Sequence, residues 1–171
     1  MVILRDCAAR KLWLSQELFA KSLVSQYGAQ DARVRELPLS AAIKLTKDDG
    51  APLDTQQHPY SQLVGSLLYL VVCTRPDLAY AVGLLARFMS APRQPHWDAA
   101  MGVLKYLAGT LQLVLSFGGE GDLMAYCDSD YPGCLDTRRS CTGYIFLLHG
   151  GAVSWSSRVQ PAHSCCIHSG S

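Results

Sequence analysis

Apolar positions change their period twice along the chain. Val2, Ile3 and Leu4 form one short apolar run and Lys11 to Leu14 another, with polar and small residues from Arg5 to Arg10 between them, which predicts a β-hairpin. Ser15 then stands as an N-cap for a helix carrying Leu18, Phe19, Leu23 and Val24 on one side, stopped by Gly28 at the C′ position. From 29 to 58 no period survives among Pro38, Asp48, Asp49, Gly50 and Pro52, and this stretch reads as an extended linker. Helical spacing returns at Pro59 with Leu63, Leu67, Leu70 and Val71. Thr74 and Asp77 form a capping-box-like start for a second helix with Leu78, Ala81, Val82, Leu85 and Met89 on one face, ending before Pro92. A third runs from near Pro95 through Trp97, Met101, Leu104 and Ala108 to Gly109.

After Gly109 the period falls to two. Leu111 to Phe117, Leu123 to Asp128, Thr142 to Leu148 and Ala152 to Trp155 read as the strands of a β-meander, with the Gly150–Gly151 pair supplying positive φ between the last two. The expected fold class is α+β: an N-terminal hairpin plus helix (1–58, including the linker), a central three-helix bundle (59–110), an antiparallel meander (111–160) and a divergent tail (161–171).

Composition supports a folded chain, since 49% of the 171 residues are hydrophobic and 17% charged. The net charge of +1 gives no basic excess of the kind a dedicated nucleic-acid binder shows. No apolar run approaches the ~20 residues of a membrane span, and the first ten residues lack a secretory core. The expectation is an intracellular protein, cytoplasmic or nuclear, not secreted and not membrane-bound, with its seven cysteines reduced. Cys127, Cys134 and Cys141 recur every seven residues but sit in strands and turns, and chance or core filling is the expected account of the spacing.

Candidate chemistry gathers in the last third, which has five acidic against three basic groups, around Asp128, Asp130 and Asp136. The stretches YSQLVGSLLYLVVCTRPDLAYAVGLLARFMS, HWDAAMGVLKYLAGT and AYCDSDYPGCLDTRRSCTGYIFLLHGGAVSWSSRVQ, together with LSQELFAKSLVSQYG upstream, resemble the C-terminal part of copia-type retrotransposon Pol polyproteins. The resemblance covers about Leu4 to Gln160. It implies the end of a reverse transcriptase region, a helical connection and the opening of a ribonuclease H domain, whose fold begins with an antiparallel meander.

In that family a catalytic Asp on the first meander strand helps hold two Mg²⁺ ions, and Asp128 in AYCDSD matches that position. Asp130 is a second candidate metal ligand, weighed against a turn role that it shares with Asp136. Arg138 and Arg139 are candidates for phosphate contact, weighed against surface solvation. Trp97 and Trp155 are expected to pack in the core and not to stack on bases. The family's YxDD turn does not occur in this sequence, and 161–171 contains no acid. An inactive fragment of Pol is therefore expected, holding no metal stably. Its implied partners are an RNA–DNA hybrid or the rest of Pol, with self-association through an uncovered sheet face. A non-enzymatic interaction module is the alternative, and a zinc site at His163, Cys165, Cys166 and His168 a third.

Overall fold

Tyr60, Leu63, Val64, Leu67, Leu70 and Val71 recur at the spacing that puts them on one side of a helix, and all six are buried in a computed structural model that describes residues 1–30, 32–40, 43–118, 121–130 and 140–160. This helix is the centre of the core. Each such side chain contributes about 1.5–3 kcal/mol by leaving water. In chain order the elements are β1 (Val2–Asp6), β2 (Lys11–Ser15), α1 (Glu17–Gln26), α2 (Tyr60–Cys73), a 3₁₀ turn (Pro76–Leu78), α3 (Ala79–Ala86), α4 (Gln94–Gly109), β3 (Leu115–Phe117), β4 (Met124–Asp130), β5 (Cys141–Leu148) and β6 (Gly151–Val159). The fold is mixed α and β, with four α-helices and two antiparallel three-stranded sheets among the described residues.

The periodic reading holds for α2 and for the buried side of α3. On α4, Trp97, Met101 and Ala108 are only partly buried, and the core side is formed by His96, Ala99, Ala100, Val103, Leu104 and Leu107. Helix α1 ends in a Schellman motif: Ala29 N–H donates to Val24 O and Gly28 N–H to Ser25 O, with Gly28 at φ +64°. Ser15 lies one place before the N-cap, Gln16, and its Oγ accepts Glu17 N–H at 3.2 Å. Leu18 is 72% exposed, and Ala20 joins Leu23 and Val24 on the buried side instead. Helix α3 stops at Ala86, earlier than the apolar spacing implied. Phe88 N–H and Met89 N–H reach back three residues, to Leu85 O and Ala86 O, and this tightening turns Phe88 into the core.

Thr74 and Asp77 do not form a capping box. Thr74 is buried and its hydroxyl donates to Gln16 Oε1 at 2.7 Å, tying α2 to α1, while Asp77 pairs with Arg75.

Two larger expectations are corrected. The segment from Leu111 to Phe117 is not part of the meander. Only Leu115–Phe117 is a strand, and it pairs with β2 in the order β1-β2-β3, with Leu12 opposite Phe117 and Leu14 opposite Leu115. Hydrophobic alternation sets which face a strand buries but not which neighbour it pairs with, and β2 offers an open edge.

The stretch from 29 to 58, read as a linker, is a packed strap in its described part. Leu45 and Leu53 are buried in the core, Pro52 bridges to Arg93, and Leu53 N–H donates to Pro92 O. Polar turn residues hid these anchors because they are single apolar side chains without a period.

The second sheet, β4-β5-β6, is the meander. Its β5–β6 turn places the positive φ on His149 (+48°) and Gly150 (+76°), whereas Gly151 opens β6. A Cβ on Gly151 would run into the ring of Phe117 and the carbonyl of Ser116, so this glycine lets the two sheets approach. Gly118 N–H then donates to His149 O at 3.2 Å.

Candidate functional site: Asp128 and the groove beside it

The meander register fixes where Asp128 stands. Asp128 pairs with Gly143, which pairs with Ser157, and two residues along the same ladder Tyr126, Ile145 and Trp155 are aligned. Directly paired residues share a face, so Asp128 lies on the side of the sheet that carries Trp155. Trp155 Nε1–H donates to Val71 O of α2 at 2.8 Å, which identifies this as the side docked on the helices.

Between the meander and the 3₁₀ turn with α3 lies a groove of about 660 Å³. Asp77, Tyr80, Tyr126, Asp128, Trp155 and Ser157 are among its lining residues. Asp128 is exposed, on the first strand of the three-stranded meander, which is the position the family resemblance implies, whereas the period-two reading counted Leu111 to Phe117 as a strand before it.

Asp77, expected in a helix cap, instead lines the groove. Its oxygens are already committed. Arg75, 3% exposed, donates from Nε to Asp77 Oδ1 at 2.9 Å and from Nη2 to Oδ2 at 2.7 Å, and Tyr106 O–H donates to Oδ2 at 3.0 Å. Arg75 also donates to the carbonyl and hydroxyl oxygens of Thr110, at 3.0 and 2.7 Å, closing the C-terminus of α4. Burial first, and then the negative charge of Asp77, push the Tyr106 phenol above its ordinary value. The short spacing of Arg75 and Asp77, with Pro76 between them, was the available signal for this pair.

The other sequence candidates divide between the described and undescribed parts. Asp130 pairs through its backbone with Cys141, and its side chain lies outside the described residues. Asp136, Arg138, Arg139 and Cys134 lie outside them too, as do His163, Cys165, Cys166 and His168. Cys127 is exposed and not a core residue, because its place opposite Tyr144 puts it on the sheet face away from the helices. Trp97 packs against His58 and Tyr27, with ring centroids 4.9 and 6.1 Å away, in keeping with its expected packing role. No helix among the described residues is long and apolar enough to cross a membrane.

A pair of Mg²⁺ ions requires several hard oxygen ligands converging on each ion. Asp77 does not fit that need, since Arg75 and Tyr106 occupy it, and no group of three or more His, Cys, Asp or Glu side chains converges among the described residues. Asp128 alone is a single exposed carboxylate. The described residues therefore do not make a two-metal site.

Comparison with known proteins places the chain in context. It is 41% identical over 167 residues to the retrovirus-related Pol polyprotein from transposon TNT 1-94 of Nicotiana tabacum, a span of 94% of this chain and 12% of that protein. It is 39% identical over 151 residues to the Pol polyprotein from transposon RE2 of Arabidopsis thaliana, covering 87% of this chain and 10% of the relative. The chain thus spans about a tenth of the length of these polyproteins. A shorter relative, secreted RxLR effector protein 161 of Plasmopara viticola, is 48% identical over 104 residues, covering 60% of this chain and 73% of that protein. No family model and no solved structure matches the chain.

Proposed function

Because the chain belongs to the copia-type retrotransposon Pol polyprotein family, we propose that it supplies the helical connection between reverse transcriptase and ribonuclease H-like regions. On this reading it also carries the first carboxylate-bearing strand of the latter. The observation that carries the reading is the position of Asp128: exposed, on the opening strand of an antiparallel meander, beside a groove walled by the helical body. Its own chemistry is incomplete. One carboxylate does not assemble the metal pair that cleaves an RNA–DNA hybrid, so turnover requires acids contributed by other Pol residues. The chain by itself is inactive, its partners are the rest of Pol and the hybrid, and its place is inside the cell.

The test is direct. Purified chain is incubated with a labelled RNA–DNA hybrid in Mg²⁺ or Mn²⁺, beside Asp128→Asn. Absence of cleavage by both is expected, and cleavage that disappears in Asp128→Asn overturns the reading.

A second reading is favoured by the match to nearly three quarters of the RxLR effector protein, in which a related segment makes up most of a short chain. It is a non-enzymatic interaction module. The helix-free face of the meander supports it, since Tyr144 and Phe146 are exposed there with ring centroids 5.5 Å apart.

A further inference from the structure

His96 is fully buried at the third position of α4, and both of its ring nitrogens are taken by backbone groups of fixed character. Nδ1 accepts the N–H of Arg93 at 3.0 Å. Nε2 lies 2.9 Å from Thr46 O, which only accepts, so the proton is on Nε2. One neutral tautomer satisfies both, joining the first turn of α4 to the strap. The imidazolium does not, because a second proton on Nδ1 would face the Arg93 N–H.

The charged groups described near the ring have partners of their own. From α4 itself, Arg93 sends its guanidinium to Lys47 O and Gly50 O at 2.7 and 2.8 Å, and Asp98 accepts from Gln94. From the strap, Asp49 accepts Thr46 N–H, while Asp48 is 3.6 Å from Arg93 with its side chain 98% exposed, and Lys47 is a further cation. From α3 and its C-terminal turn, Phe88 stacks on the imidazole at 3.9 Å, and the Arg87 guanidinium lies over the Phe88 ring. From α2, Tyr60 gives its hydroxyl proton to Leu85 O.

We propose that His96 is an acid-released latch, holding strap residues 43–53 against α4 while neutral and letting them detach when it takes up a proton. Detachment withdraws Leu45 and Leu53 from the core and frees the first turn of α4. Opening is coupled to one proton, so its equilibrium constant rises up to about tenfold per pH unit below the ordinary imidazole value of about 6.5. The device is independent of Asp128 and of any activity of Pol.

Amide hydrogen exchange on the full chain between pH 7.5 and 5.0, corrected for intrinsic rates, reads the latch. The Leu53 and Gln94 amides, which donate to Pro92 O and Ala51 O, are expected to lose protection up to about tenfold per unit below about pH 6.5. Those of Leu67 and Leu70 in α2 stay constant. His96→Gln, which keeps an acceptor and a donor without a titrating group, is expected to remove the dependence. Strap protection that is flat with pH in the native chain, or a slope that persists in His96→Gln, overturns the proposal. Should that variant not fold, ring ¹⁵N shifts of the native chain at pH 7.5 decide: a protonated Nε2 with bare Nδ1 supports the latch, and a protonated Nδ1 overturns it.

Discussion

Trp155 Nε1 and Val71 O lie 2.8 Å apart, and this hydrogen bond joins the last meander strand to the C-terminal turn of the central helix. Trp155→Phe keeps most of the apolar contact and removes the donor, so a loss of about 1 kcal/mol is expected by urea unfolding. Exchange of β6 amides should increase more than that of α2 amides. Equal increases in both would place the energy of this bond elsewhere.

Arg75 and Asp77 give a harder test of the helical junction. Asp77→Ala leaves a guanidinium with a 4% exposed side chain without its carboxylate. Since Asp77 itself is 30% exposed, the expected cost is about 2–3 kcal/mol, below the full value for breaking a deeply buried pair. Chemical denaturation of the single variant, and of one in which Arg75 is also replaced by Met, measures it. The double variant should recover part of the loss, because the uncompensated charge is gone.

The phenols set an alkaline limit. Burial raises Tyr60, Tyr106 and Tyr27 above 10.0, and for Tyr106 the charge of Asp77 adds to it. A raised folded value means that the unfolded chain ionises first. The contribution is constant below pH 10 and is lost as pH rises above it. Unfolding free energies at pH 8, 10 and 11 should fall most steeply over the last interval, and less steeply in Tyr106→Phe. That variant should also cost about 1 kcal/mol at pH 8 through the lost bond to Asp77.

Two glycines should respond oppositely to alanine. Gly28 at φ +64° ends α1, and Gly28→Ala is expected to cost about 1–2 kcal/mol for a side chain in the left-handed region. Gly65 lies within α2 with nothing within 4 Å of an added Cβ, and Gly65→Ala should stabilise by about 0.5–1 kcal/mol. Thermal melts of the two variants provide the comparison.

Exposed Tyr144 and Phe146 predict concentration-dependent self-association. Sedimentation of the native chain against a variant with both replaced by Ser should show association in the first and a weaker form or none in the second.

The helices were legible because their information is local. Tyr60 to Val71 and Leu78 to Leu85 carry their burial as a period, and Gly28 signals its own turn. What was not legible depends on distant partners. Leu115 to Phe117 has the same alternation whether it pairs with β2 or β4, and Thr74 looks like a cap until Gln16 is brought beside it. Leu45 and Leu53 are isolated apolar residues in a polar stretch, so only the core they pack into identifies them as anchors. At the candidate site, Asp128 and its strand were legible from AYCDSD, and the groove was not. Its far wall comes from Pro76, Asp77 and Ala79, about fifty residues earlier.

The pairing of β3 with β2 also bears on the order of events. Leu12 and Phe117 are separated by the strap and all four helices, so the first hairpin keeps one edge open while about a hundred residues are synthesised after it. Closing so long a loop is entropically costly, and Arg75, by holding Thr110 at the end of α4, sets where β3 leaves the helices. Such a pairing favours late completion of the N-terminal sheet, and until it forms the emerging chain presents an unpaired strand edge to its neighbours.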